Sequence, residues 1–260
     1  MKTTTRILCL SGLLLLTPIL KGQDTVNYKA IFPSGISFGY GLGSYSVIDE
    51  YISGERYSGR LPCLNLEWIR FHDKIAYRLE FEYQNSDNIS NNSISARAMQ
   101  FVFNEDFIFH VGSFPLLSKR VFAYLGPSVQ FFYYDIKYNF GQPGTFISPK
   151  TFGIIGSLGI NGACIFPVND KLQIEGVMRS SLLSFSGKKI DEYKYEDQPS
   201  PTLLSAITAT KIDCDIGIRY YPVRRVSATM AYKFDLLRIH RWDPYIAASN
   251  SLVISLNYTF

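Results

Sequence analysis

The chain has 260 residues, with 26 Lys and Arg against 22 Asp and Glu. Met1 to Gly22 hold Lys2, Arg6 and Lys21 and no acid, so the remainder carries 23 bases against 22 acids and its charge implies no nucleic-acid partner. Apolar residues make up 47% and aromatics 15%, while charged residues reach only 18%, below the roughly 25% of soluble domains.

The first 22 residues read as a cleaved secretory signal. Lys2 and Arg6 make a positive start, Ile7 to Leu20 are largely apolar, and Lys21-Gly22-Gln23 ends the run. The run is too short to span a bilayer as a helix, and cleavage is expected near Gly22/Gln23. Cys9 leaves with it. Cys63, Cys164 and Cys214 remain, odd in number and widely spaced inside strand-like runs. That argues against a disulfide framework and a zinc site and favours reading them as small apolar side chains. No cofactor is implied. Export without a spanning helix, joined to aromatic-rich strands, leaves a membrane β-barrel or a secreted β-sandwich, as one domain over residues 23–260.

The first strand is expected over about Gly35 to Val47. Ile36, Phe38, Tyr40 and Leu42 share one face, and Ser37, Gly39, Gly41 and Gly43 the other. Glycines spaced two by two, with no helix following, are no phosphate loop. A polar loop leads to a second strand over Leu61 to Phe71, and His72-Asp73-Lys74 is a tight connection. In the third strand Ile75, Tyr77, Leu79, Phe81 and Tyr83 alternate with Ala76, Arg78, Glu80 and Glu82. After a polar loop at 85–92, the fourth strand spans about Ser93 to Gly112. Phe101, Phe103, Phe107 and Phe109 share a parity with Glu105, which predicts a bulge or a strand end near Asn104-Glu105-Asp106.

Ser113 to Ser118 is a turn, and the fifth strand runs from Lys119 to about Tyr138. A loop follows to Lys150, then a sixth strand over Thr151 to Phe166 and a turn at Pro167-Val168-Asn169-Asp170. The seventh strand covers Lys171 to Leu183, and Ser184 to Pro201 is a long charged loop. The eighth, Leu203 to Tyr221, sets Ile212, Cys214, Ile216 and Ile218 against Lys211, Asp213, Asp215 and Arg219. After Pro222 to Arg225 the ninth strand covers Val226 to Asp235, and a loop from 236 to 250 leads to the close.

The last ten residues read S-L-V-I-S-L-N-Y-T-F. Leu252, Ile254, Leu256, Tyr258 and Phe260 fall on one face, with Val253 the exception to an otherwise polar second face. Ten strands result, with short turns at one end and long polar loops at the other. Phe71, Phe122, Phe166, Tyr220 and Phe260 gather beside the short turns, as an aromatic girdle would.

This pattern, closing on an aromatic terminal residue, resembles the small outer-membrane or porin-like barrels of Gram-negative bacteria. The resemblance implies an all-β fold, a transmembrane up-and-down antiparallel barrel of about ten strands, with eight as the alternative. It also implies residence in the outer membrane as a monomer among lipid and lipopolysaccharide, and recognition of the closing strand by barrel-assembly machinery. With the apolar parities facing lipid, the interior holds Glu67, Arg78, Glu80, Glu82, Glu175, Arg179, Lys211, Asp213, Asp215, Arg219, Lys233 and Asp235. In a narrow lumen such charges must pair or be hydrated. They make an ion-paired plug or a narrow polar path. His240, with Asp243 in H-R-W-D-P, is the one candidate base beside an acid, and no motif of the omptin proteases or lipid A-modifying hydrolases surrounds it. The expected function is a structural or surface-interaction barrel with slight permeation. An outer-membrane enzyme and an accessory barrel of a secretion or uptake machine are the alternatives.

Overall fold

The computed structural model describes residues 34–50, 52–72, 74–91, 94–117, 119–139, 150–191, 202–206, 208–240 and 244–260. The signal segment and the loop residues 140–149 and 192–201 lie outside them. Among the described residues every element is a strand: β1 (Gly35–Asp49), β2 (Ser53–His72), β3 (Ile75–Ser90), β4 (Ser95–Leu116), β5 (Lys119–Asn139), β6 (Lys150–Asn169), β7 (Leu172–Asp191), β8 (Thr202–Ser205), β9 (Ala209–Val223), β10 (Val226–Ile239) and β11 (Tyr245–Thr259).

All pairings are antiparallel, and all but β1 with β11 and β7 with β9 join strands adjacent in the chain. The pairing of β1 with β11 and of β6 with β7 leaves a closed cylinder of ten strands, with β8 added beside β7. The seam runs unbroken from Gly35↔Thr259 to Asp49↔Tyr245, so Ser251 to Phe260 does close the barrel. Closure leaves no row of unpaired backbone groups in the apolar layer, which no water could satisfy there.

The barrel is inside-out around its girth. Leu252, Ile254, Leu256, Tyr258 and Phe260 are exposed on the outer face of β11, beside Ile36, Phe38, Tyr40 and Leu42 of β1. The same belt continues through Leu64 and Leu66, Phe107 and Phe109, Leu158 and Ile160, and Ile216 and Ile218. Water does not tolerate a continuous apolar belt of this extent; lipid requires one. Val253, the exception in the closing strand, points inward. A Cβ at Gly41 would lie 2.7 Å from Val253 Cγ2, so the glycine face of β1 makes room for this valine.

Beyond the belt the alternation inverts. At the end of the barrel away from the short turns, β5 turns Asp135 and Lys137 outward and Tyr134, Ile136 and Tyr138 inward. Likewise Tyr57 and Leu61 of β2, and Tyr45 and Val47 of β1, are buried against serines and Arg60 outside. These stretches belong to tall strands that leave the bilayer and carry an ordinary water-soluble core. The polar segments 48–60 and 85–92, expected as loops, are therefore mostly strand. The strands other than β8 run from 14 to 22 residues, against about 9–11 needed to cross the hydrocarbon.

Three further expectations are corrected. Pairing of β4 with β3 runs unbroken from Ala98 to Phe109, and Asn104, Glu105 and Asp106 keep one register with β5, so no bulge sits there. The register shift lies at His110/Gly112 instead. Glu105 therefore does point outward, between Phe103 and Phe107, and accepts a hydrogen bond of 2.6 Å from the Tyr77 hydroxyl. Phe71 and Phe122 point into the barrel and pack with Ile69, Tyr124 and Ile165, so Phe166, Tyr220 and Phe260 alone of the five belong to an outer girdle. The eighth predicted strand is broken at 205–209. There the Thr208 N–H donates to Ser205 O and the Thr208 hydroxyl accepts from the Ser205 N–H, both at 2.9 Å. β8 thus pairs with the outer part of β7 and β9 with the inner part.

Candidate functional site in the barrel lumen

All twelve charged residues assigned to the interior lie on the inner face, and most of them meet. Antiparallel register carries charges from distant stretches of chain onto one level of the cylinder. Arg179 of β7 reaches across the lumen and donates from Nε to Asp106 Oδ2 at 2.8 Å and from Nη2 to Glu80 Oε2 at 2.8 Å. Its Nη1 lies 3.4 Å from Asp215 Oδ2. Glu80 of β3 is the hub. It also accepts from Lys233 of β10 and, at 3.0 Å, from the Asn65 amide. Arg78 pairs with Glu67 at 2.6 Å and lies 3.6 Å from Glu80, while Lys233 reaches Glu82 at 3.0 Å.

Two smaller groups flank this hub. Lys211 pairs with Asp213 at 2.6 Å, and the Gln130 amide donates to the same carboxylate at 2.6 Å. Asp235 stands opposite Asp213 on the ladder and accepts from Ser249 at 3.2 Å. Closer to the short turns, Arg219 grips Glu175 through Nε at 2.7 Å and Nη2 at 3.0 Å, the two-pronged geometry a guanidinium makes with a carboxylate. A small cavity of about 50 Å³ separates the pair from the hub.

Burial is what gives these contacts weight. Arg179 is 1% exposed, Glu80 2% and Asp106 0%. Charges this deep are tolerated only when geometry and extra hydrogen bonds return what desolvation takes.

Above the network lies a packed layer of buried side chains. Tyr134 stacks on Tyr245 with ring centroids 4.4 Å apart, the Tyr45 and Tyr245 hydroxyls lie 3.3 Å apart, and Tyr57 meets Tyr138 edge-on at 5.0 Å. Val102, Phe132, Ile155, Leu204 and Leu237 fill the space around them. Tyr134 also covers Gly153, whose Cβ would come within 2.5 Å of the ring. Below the network the lumen opens instead, into a cavity of about 1590 Å³ at the short-turn mouth.

Reading the sequence missed Asp106 and the amides Asn65, Asn104 and Gln130. Asp106 shares its parity with Gln100, Val102 and Asn104; the expected bulge concealed it. Tyr57 and Tyr245 were missed because the segments 48–60 and 236–250 were read as loops, whereas both residues lie in strands. His240 is exposed and donates its backbone N–H to Thr208 O at 2.8 Å, while Asp243 lies outside the described residues. No group of His, Cys, Asp and Glu among the described residues is arranged to hold a metal.

Among solved structures, the outer membrane protease OmpT from Escherichia coli is similar, with a TM-score of 0.51 and 10% identity over 93% of this chain and all of that one. The chain has the fold of a small outer-membrane β-barrel protein. The translocator domain of the autotransporter NalP from Neisseria meningitidis overlaps 99% of this chain and 98% of that one, at a TM-score of 0.45 and 12% identity. Neisserial surface protein A overlaps 86% and 97% at 0.39 and 10%. At these identities the likeness is one of fold alone. No protein-family model and no curated protein matches the sequence.

Proposed function

We propose that this protein is a monomeric, non-conducting barrel of the outer membrane, exported with loss of its first 22 residues, that works through its surfaces. One observation carries the reading. The lumen is crossed at two levels, by a network centred on Glu80 and Arg179 and by the tyrosine-rich layer beyond it. A solute would have to break several buried ion pairs and displace a packed core. This favours the plug over the polar path and leaves permeation no part. Lipid and lipopolysaccharide then surround the apolar belt, and β11, before it pairs with β1, is the strand that assembly machinery would recognise. The tall strands and loops at the far end, and the open cavity at the near end, are the surfaces on which partners would act.

Planar-bilayer recording of the refolded protein tests it. Silence is expected over minutes at about 100 mV, apart from rare flickers; a steady current of porin size overturns the closed lumen. Fractionation tests location separately, since recovery in the soluble periplasmic fraction would end the membrane reading.

A further inference from the structure

The cavity at the short-turn mouth is lined by an excess of cationic side chains. Its rim carries Arg70, Lys119, Arg120, Lys171, Arg224 and Arg225, against the single acidic side chain Asp170. The chain beyond residue 22 is close to neutral, so this surplus of cations is a local concentration. Three of the four short turns contribute to it. Lys119 already donates to Val168 O, whereas Arg70, Lys171, Arg224 and Arg225 are exposed and have no ion-pair partner among the described residues. Just inside the rim the wall is aromatic, with Phe71, Phe122 and Tyr221. The Arg219–Glu175 pair lies deeper, on the side toward the hub.

We propose that this cup is a docking site for an acidic peptide segment of a partner protein, entering from the periplasm. Arginine clusters take carboxylates through paired N–H donors, and the aromatic wall offers flat surfaces for apolar side chains next to them. At about 1590 Å³ the cup exceeds the roughly 300–1,000 Å³ of small-molecule pockets, and its blind inner end suits an inserted segment better than a solute in transit. Arg120, Arg224 and Arg225 ring the aperture, which favours an occupant of the cup over the surrounding lipid headgroups. The inference rests on a barrel whose short turns face the periplasm and whose lumen is closed. Conductance tests the closure; binding tests the cup.

The experiment uses the mature chain refolded into nanodiscs of phosphatidylcholine, with fluorescence anisotropy of labelled decapeptides of alternating Glu and Phe, or of Lys and Phe. The acidic peptide is expected to bind and the basic one not, with affinity falling as salt rises from about 0.05 to 0.15 M through screening. Lys171→Ser/Arg224→Ser/Arg225→Ser should weaken binding at least tenfold. Lys137→Ser/Arg238→Ser, at the opposite end of the barrel, should leave it unchanged. Arg224→Glu/Arg225→Glu should shift preference toward the basic peptide, a gain that misfolding cannot mimic. The proposal is overturned by no binding of the acidic peptide, by equal loss in the opposite-end variant, or by abolition of binding when a fifth of the lipid is phosphatidylglycerol. That last result would assign the cations to lipid headgroups.

Discussion

Replacing Arg179 with methionine removes the one group among the described residues that contacts β3, β4 and β9 together across the lumen, at nearly constant side-chain volume. The consequences differ among its three carboxylates. Glu80 keeps Lys233, Arg78 and Asn65, and Asp215 keeps Arg78 at 3.9 Å. Asp106 keeps no described partner, and it is 0% exposed. Breaking a buried pair by deleting one member costs about 3–5 kcal/mol, chiefly because the remaining charge is stranded. At about 1.4 kcal/mol per decade that is roughly two to three and a half orders of magnitude in the folding equilibrium. The double variant Arg179→Met/Asp106→Leu removes the stranded charge as well. It should recover most of the loss, with a coupling of at least about 2 kcal/mol. Urea titration of the protein refolded in phospholipid vesicles, followed by tryptophan fluorescence and heat-modifiable gel migration, measures both. A single variant within about 1 kcal/mol of the parent, or a double variant no better than the sum of its singles, would refute the hub.

Three other substitutions or labels probe the layers around that hub. Glu105 stands in the apolar belt with Leu79 and Val129 directly beside it on the ladder. Glu105→Leu should therefore stabilise the barrel by about 1 kcal/mol, and destabilisation of that size would show that the bond from Tyr77 is worth more than the exposure costs. Leu117 closes the β4–β5 turn at φ 47°, the one positive-φ residue other than glycine among those described. Leu117→Gly should raise stability by about 1 kcal/mol in the same titration, and no gain would mean that the turn relaxes freely. Cys63 is buried inside the barrel, Cys164 is exposed on the outer belt and Cys214 is half-buried there. In vesicles a charged maleimide should modify none of the three, a lipophilic one should reach Cys164 first, and Cys63 should react only after unfolding. Labelling of Cys63 in the folded protein by the charged reagent would show a hydrated lumen.

The sequence by itself determined the barrel. Period-2 alternation in Ile75 to Tyr83 or Leu252 to Phe260 admits only a strand with one apolar side, and the alternating lengths of the connections orient ten of them. It also placed twelve of the inner charges, though not Asp106, because a residue's face follows from parity wherever the strand stays in the belt. Parity carries that information only while the surroundings remain the same. At Tyr45, Val47 and Tyr57 the exterior changes from lipid to water, the apolar side changes with it, and the polar stretch 48–60 looks like a loop rather than strand. Glu105 disturbed the reading for the opposite reason, since a costly outward carboxylate is easier to explain as a bulge than as a residue hydrogen-bonded to Tyr77, 28 positions earlier. Only the tertiary structure decided which charges pair. The meeting of Arg179 with Glu80, 99 residues away, depends on the register and circumference of a closed cylinder, which no local pattern encodes. The same closure turns scattered cations in three short turns into a ring around one cup.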